Sequence, residues 1–338
     1  MKIAIVNRKG SFSDRWVTYC ESHGIEYKIV NPYKNDIIRQ VDGCDAFMWH
    51  FHQGDYRDMQ FAKNLIRSLE AKGVKCFPDS DTCWHFDDKV AQKYLLEAVG
   101  APLVPSYVFY TEQEALDWIS KTDFPKVFKL KGGAGASNVK LAHNCDEAKS
   151  FVRQCFGKGF RQYRWREQFE EELRKYKLKK CSLRDVLRPV RYSLKRYPTQ
   201  FDHYHQREIG YAYFQDFIAG NEFDIRVCVV GDRAFGLKRM TRNNDFRASG
   251  SGKIIYDKKQ IDERCVSMAF EANEKLKTQS IAFDFVFDKD KNPMIVEISY
   301  GYALKAYDTC EGFWTKDLQW HEGTHFDFCG WMVENLIK

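Results

Sequence analysis

The stretch Ile281–Ala303, IAFDFVFDKDKNPMIVEISYGYA, decides the fold. Lys289-Asp290-Lys291-Asn292 separates two runs of alternating apolar residues, which predicts a β-hairpin. If this four-residue loop closes symmetrically, Asp288 pairs with Pro293, Phe287 with Met294, Phe285 with Val296 and Phe283 with Ile298 on one apolar face. The other face then sets Asp284 directly against Glu297. Opposed carboxylates destabilise a ladder unless positive charge lies between them, and a hard divalent cation with oxygen ligands suits that place. An acid pair on a solvated edge is the alternative.

Upstream of the hairpin, Asp262–Lys275 reads as an amphipathic helix. Glu222–Val230 and Arg233–Met240 form a second hairpin around Gly231-Asp232, which sets Asp224 opposite Arg239 with Arg226 on the same face. That charge cluster suits a polar ligand and equally a structural salt bridge. The segment 241–252, TRNNDFRASGSG, has the composition of a binding loop around Phe246-Arg247. Tyr211–Ile218 is a further strand, ending in Gln215-Asp216-Phe217.

Phe124–Lys131 is a strand entering the small-residue loop Gly132-Gly133-Ala134-Gly135-Ala136-Ser137-Asn138, after which Val139–Ala142 resumes as strand. Alternation sets Lys129 and Lys131 on one face, with Phe128 and Leu130 on the other. Backbone N–H groups of such a loop can close over phosphate oxygens. It also fits a flexible hairpin, and it is not a Walker A loop, because no GK[ST] follows.

Asp87-Asp88 opens a helix over Lys89–Ala98, with Val90, Tyr94 and Ala98 on one face and Gly100 as its stop. Lys89 in its first turn opposes the helix dipole; it either neutralises Asp87 or reaches a phosphate. Residues 1–86 alternate strand and helix, implying a small parallel sheet covered on both faces. No GxGxxG follows the first strand, so a dinucleotide fold is not supported. His50 and His52 lie two apart without a third ligand, which favours structural roles.

With 338 residues, two or three domains are expected. A net charge of +6 is compatible with a phosphate-bearing ligand and diagnostic of none. Eleven scattered cysteines without a CxxC pair fit reduced thiols in a cytoplasmic protein. No apolar run approaches a membrane span. Residues 158–207 are crowded with Arg, Lys and aromatics, including a helix over Glu167–Lys180; a solvated charged face is expected there, with a partner site as the alternative. The aromatic tail beyond Ala303, with Trp314, Trp320 and His321, is expected to pack on the core, stacking on a planar substrate being the alternative.

In order and spacing, Lys89, the Lys129 strand, the glycine loop, Gln215-Asp216-Phe217, Phe223-Asp224-Ile225-Arg226, Asp245-Phe246-Arg247 and the Asp284/Glu297 hairpin resemble the ATP-grasp superfamily, over roughly residues 75–303. The similarity is to the branch with glutathione synthetase and the ligases that add glutamate to a ribosomal protein. It implies an α/β and α+β fold: a parallel-sheet α/β domain at 1–86, then a two-subdomain ATP-grasp domain at 87–338 carrying a basic insertion at about 158–207. The family fold would hold ATP between two α+β subdomains under the glycine loop. By this resemblance Lys89, Lys129 and Lys131 contact phosphates, with Gly133, Gly135 and Ser137 in the covering loop. Gln215, Asp216 and Phe217 hold the adenine and Asp224 the ribose. Asp284, Glu297 and Ser299 take Mg²⁺, and Arg226, Arg239 and Arg247 orient the carboxylate and the transferred phosphoryl group. The family commonly has Asn where this chain has Ser299.

The implied reaction is ATP-dependent carboxylate–amine ligation through an acyl phosphate, releasing ADP and phosphate, with amino acids, peptides and sugar acids as candidate substrates. A regulatory or scaffold protein that binds ATP with little turnover is the alternative raised by Ser299. Partners are a carboxylate and an amine; nucleic acid is not expected.

Overall fold

The computed structural model describes residues 1–133, 138–161, 165–177, 179, 181–194, 200–204, 207–242, 245–248 and 251–338. Contacts divide the chain into two compact units, one of 1–52, 57–106 and 218–338, the other of 53–56 and 107–217.

The first unit begins with a parallel sheet of β1 (Lys2–Val6), β2 (Glu26–Ile29), β3 (Ala46–Trp49) and β4 (Lys75–Phe77), in the order β2-β1-β3-β4. Apolar residues on both faces of β1 and β3 explain why it is buried on both sides. Ile3, Ile5 and Met48 pack with Phe12 and Trp16 of the following helix, whereas Ala4 and Phe47 pack with Leu65, Ile66 and Leu69 of the helix Tyr56–Ala71.

In the second unit the sheet is β5 (Ser106–Phe109), β6 (Lys126–Lys129), β7 (Val139–Ala142) and β8 (Ala212–Asp216), ordered β5-β8-β6-β7. Helices Glu112–Ile119 and Cys145–Phe156 cover one face, burying Phe128, Leu130, Ala212 and Phe214 against Ala115, Ile119 and Val152. The alternate residues Lys129 and Gln215 therefore project from the opposite face.

The first unit also holds a larger sheet of β9 (Phe223–Val230), β10 (Arg233–Met240), β11 (Ile254–Ile255), β12 (Ser280–Phe287), β13 (Pro293–Ser299), β14 (Gly312–Thr315) and β15 (Trp320–Glu322), in the order β13-β12-β9-β10-β14-β15, with β11 beside β10. On one face, Ile225, Val227, Phe283, Phe285 and Ile298 pack against Val266, Ala269 and Phe270 of the helix Glu263–Leu276. On the other, Cys228, Val230, Phe235 and Leu237 share a core with Tyr302, Tyr307 and Phe328. The aromatic tail packs in large part: Trp314 is fully buried with the half-buried Trp320 against it, and Phe328, Trp331 and Met332 of the terminal helix join the core, whereas His321 is exposed and stacks on Phe313. The cysteines are unbridged. No helix among the described residues is long and apolar enough to cross a membrane.

Helix Lys89–Ala98 forms where expected, with Asp88 accepting from the N–H of Ala91 at 2.9 Å, but its inward face is Lys89, Gln92 and Leu96. Tyr94 and Ala98 are exposed. Apolar periodicity picked the wrong face because this helix turns two polar side chains toward β13: Gln92 Oε1 accepts from the N–H of Ile298 at 3.4 Å, and Lys89 pairs with Glu297.

His85, just before this helix, is fully buried, and neither ring nitrogen has a partner among the described residues. Burial pushes its pKa down to about 4. Between that value and the ordinary 6.5, the unfolded chain binds a proton that the folded chain refuses, so stability is full above pH 6.5 and falls as pH drops toward 4. A shift of this size corresponds to about 3 kcal/mol. Urea unfolding across this range is expected to give a flatter pH profile for His85→Leu than for the wild type by that amount; parallel profiles would contradict it.

Candidate active site

The acidic hairpin forms with Asp284 opposite Glu297 and Phe283 opposite Ile298. Nearer the turn the pairing departs from symmetric closure: Phe287 faces Pro293, Val286 faces Met294 and Phe285 faces Ile295. The turn is one residue tighter because the Asp288 carboxylate accepts from the N–H groups of Asp290 and Asn292, both at 2.8 Å, while Lys291 takes a left-handed φ of 64°. The ladder closes with the Asp288 N–H donating to the Asn292 carbonyl. A bulge between Asp284 and Phe285 then restores the register, so that Ile295 and Val296 together span one position of β12. The bulge rests on an outer partner for Ile295, whose N–H donates to the Pro102 carbonyl and whose carbonyl accepts from Val104.

Along β9, residues 224, 226, 228 and 230 share a face, so Asp224 and Arg226 continue the buried row of Cys228 and Val230 to the open end of the hairpin. There Arg226 donates through Nε and Nη2 to the two oxygens of Asp284 at 2.5 and 2.6 Å. Arg239, opposite Asp224, donates through Nε and Nη2 to its carboxylate at 2.7 and 2.5 Å, and its Nη2 lies 3.0 Å from Asp284. Two carboxylates and two guanidiniums therefore form a neutral, largely buried lattice. Burial opposes charge on Asp284, but Arg226 and Arg239 outweigh it and hold the carboxyl well below its usual range. For Asp224, burial prevails over Arg239 and raises the carboxyl, so on acidification Asp224 takes a proton first. Neither arginine donates through Nη1 to a described residue, so both Nη1 hydrogens of each guanidinium remain for an anion.

Across the ladder, the one-third-exposed Glu297 side chain lies 3.3 Å from the buried Lys89 ammonium. Burial works against charge on Lys89, yet Glu297 and Asp87 raise its pKa and keep it protonated. Lys89 thus compensates acids, Glu297 foremost and the expected Asp87 after it. Each opposed carboxylate already holds a side-chain cation, so the repulsion expected across the ladder is compensated by Arg226, Arg239 and Lys89. Among the described residues no three His, Cys, Asp or Glu side chains form a metal cage. A donor set of two carboxylates fits Mg²⁺ that arrives on phosphate oxygens, because that ion keeps water or phosphate in most of its coordination shell.

Not every expected residue joins this lattice. Arg247 is bound to Asp245 in its own loop, with contacts of 2.6–2.9 Å. The Ser299 hydroxyl donates to the Gly301 carbonyl at 3.2 Å. Gly301 itself admits no side chain, since a Cβ there would stand 2.8 Å from the Phe86 ring.

In the second unit, the buried Lys129 ammonium donates to Gln215 Oε1 at 2.6 Å. Asp216, on the helix-covered side, accepts from Lys126 at 2.6 Å, and Lys126 also lies over the rings of Tyr107 and Trp118. Lys126 was not singled out in the sequence because alternation places it with Phe128 and Leu130; its signal is Asp216 on the paired strand, two residues beyond Phe214. Phe217 is half-buried, and the exposed Lys131 donates its backbone N–H to the Tyr211 hydroxyl at 2.6 Å. Gly133 takes φ 116°, a value few other residues adopt. Gly135 and Ser137 lie outside the described residues.

A family model described as a RimK-like ATP-grasp domain matches residues 205–313. The α-aminoadipate–LysW ligase LysX of Saccharolobus solfataricus is 22% identical over 288 residues, which is 82% of this chain and 85% of that protein. Among solved structures, a RimK-domain ATP-grasp protein from Sphaerobacter thermophilus aligns over 100% of both chains with a TM-score of 0.58 at 14% identity. D-alanine–D-alanine ligase from Bacillus anthracis, solved with ATP, aligns over 90% of this chain and 88% of its own with a TM-score of 0.53 at 13% identity. The RimK-like ATP-grasp match thus covers residues 205–313, and the similarity to LysX and to the fold of these solved ATP-grasp structures extends it over most of the chain.

Proposed function

We propose that this chain, an ATP-grasp carbon–nitrogen ligase, joins a carboxylate to an amine through an acyl phosphate, with ATP and Mg²⁺. The observation that carries the reading is the Asp284/Glu297 pair, opposed on one hairpin and flanked by Arg226 and Arg239 with unspent Nη1 donors. Lys89, Lys129 and Lys131 hold phosphates, and Gln215, Asp216 and Phe217 hold the adenine. Asp224 meets the ribose once Arg239 yields part of its contact. Asp284, Glu297 and Ser299 would hold Mg²⁺, which would supply neutralisation of phosphate charge.

A substrate carboxylate oxygen attacks the γ-phosphorus and the bond to ADP breaks. Arg226, Arg239 and Arg247 hold the anionic oxygens in place. The amine nitrogen then attacks the acyl carbon, phosphate leaves, and the nitrogen loses a proton to give the amide. Residues 1–86 form the domain that precedes the ATP-grasp domain of 87–338, and the reaction is cytoplasmic.

Nucleotide products tested with a panel of acids and amines check this. ADP and phosphate release that requires both partners supports the reading; AMP and pyrophosphate would rule out the acyl phosphate. Tight ATP binding with no turnover on any pair would favour a regulatory role, to which the Ser299 hydroxyl, turned onto Gly301, lends some weight.

A further inference from the structure

The basic segment of the second unit contains a helix pair, Trp165–Lys177 and Leu183–Ser193, packed against each other. The second helix starts with a capping box, in which Asp185 accepts from the Ser182 N–H and hydroxyl at 3.0 and 2.7 Å. Val186 and Pro189 are its buried residues. A different face is left in water: Leu183, Leu187, Val190 and Leu194 are 56%, 55%, 39% and 87% exposed. Their spacing of four, three and four places them within an arc of about 60° on a helix. That is the pattern of a coiled-coil seam rather than of a broad core-facing stripe.

With Leu183 and Val190 as d and Leu187 and Leu194 as a, Arg184 and Arg191 fall at the flanking e positions. Both arginines are exposed and neither comes within 4.0 Å of a carboxylate among the described residues, Arg184 acting on Asp185 only at longer range. The nearest acid on the helix, Asp185, serves the cap and lies 3.9 Å from Arg188.

We propose that this seam docks an amphipathic helix of a partner protein whose flanking positions are acidic. Charge selects this occupant over others. An antiparallel second copy would set arginine against arginine, and a parallel one would set Arg191 against Val186 five residues earlier, so neither supplies an acid. A bilayer needs a wider apolar face, usually with Trp or Phe, and this seam has one aliphatic row. The proposal is independent of the ligase reading.

The test uses the full chain and two fluorescent peptides of about three heptads, with Leu at a and d and either Glu or Lys at every e and g position. The Glu peptide repels itself and stays monomeric. It is expected to bind saturably, and the Lys peptide at least about tenfold more weakly. Arg184→Glu/Arg191→Glu is expected to reverse that preference. Leu187→Asp/Leu194→Asp is expected to lose both peptides while keeping the wild-type melting temperature, since all four positions are exposed. The proposal is overturned by equal binding of the two peptides, by no saturable binding of the Glu peptide, or by preference unchanged in the arginine variant. Sedimentation with phosphatidylserine vesicles, or self-association, that Leu187→Asp/Leu194→Asp abolishes would assign the seam to a membrane or a second copy and overturn it as well.

Discussion

Asp284→Ala is expected to lower the unfolding free energy by about 3–5 kcal/mol, because it removes one member of a buried ionic lattice and leaves Arg226 uncompensated. Among the described residues, Arg226 makes both of its side-chain hydrogen bonds to this one carboxylate. Arg239 retains Asp224, so the loss falls mainly on Arg226. Replacing the ion pair together, as Asp284→Leu/Arg226→Met, should recover much of the loss, since an apolar pair of similar volume needs no charge compensation. Urea unfolding of the three proteins decides the matter. A loss below about 1 kcal/mol for Asp284→Ala would mean that the lattice is solvated and energetically slight.

Glu297→Gln is expected to cut ADP formation by at least about 100-fold, the usual cost of removing a group that stabilises transition-state charge. Its effect on folding should be small, about 1 kcal/mol, and destabilising. From sequence alone, relief of repulsion with Asp284 would be the anticipated effect. With Asp284 held by two arginines and Glu297 by Lys89, little repulsion is left to relieve, and the substitution instead weakens the compensation of a buried ammonium. Steady-state kinetics beside thermal melting separate the two effects; activity that falls only in proportion to stability would make Glu297 a structural residue.

Much of the site was legible because β-structure has a fixed period. Alternation and a Gly-Asp turn sufficed to set Asp224 against Arg239, and a polar turn between two apolar runs sufficed for Asp284 against Glu297. Two errors cancelled in the second case: the loop is one residue shorter than symmetric closure, and the bulge adds the residue back. Ile295 and Ile298 are both buried on one face three residues apart, a spacing no regular strand permits, so the bulge had a sequence signal. Which cation sits between the carboxylates was not legible, since the arginines and Lys89 reach it from other elements. The inward polar face of Lys89–Ala98 was hidden for a related reason: hydrophobic periodicity finds cores and misses helices that deliver a lysine and a glutamine to a strand. The helix Leu183–Ser193 was obscured by Pro189 in its interior and by the surrounding run of basic residues, yet its cap is formed by Ser182 and Asp185 three apart.

The most direct test of ligation through an acyl phosphate is the fate of carboxylate oxygen. An acid–amine pair that supports ADP release is supplied with both carboxylate oxygens labelled with ¹⁸O, and the released phosphate is read by ³¹P NMR. Phosphorylation of the carboxylate predicts one labelled oxygen in every phosphate, with the other kept in the amide, and loss of this signal together with ADP formation in Glu297→Gln. Phosphate free of label, released while the amide forms at the wild-type rate, would contradict it.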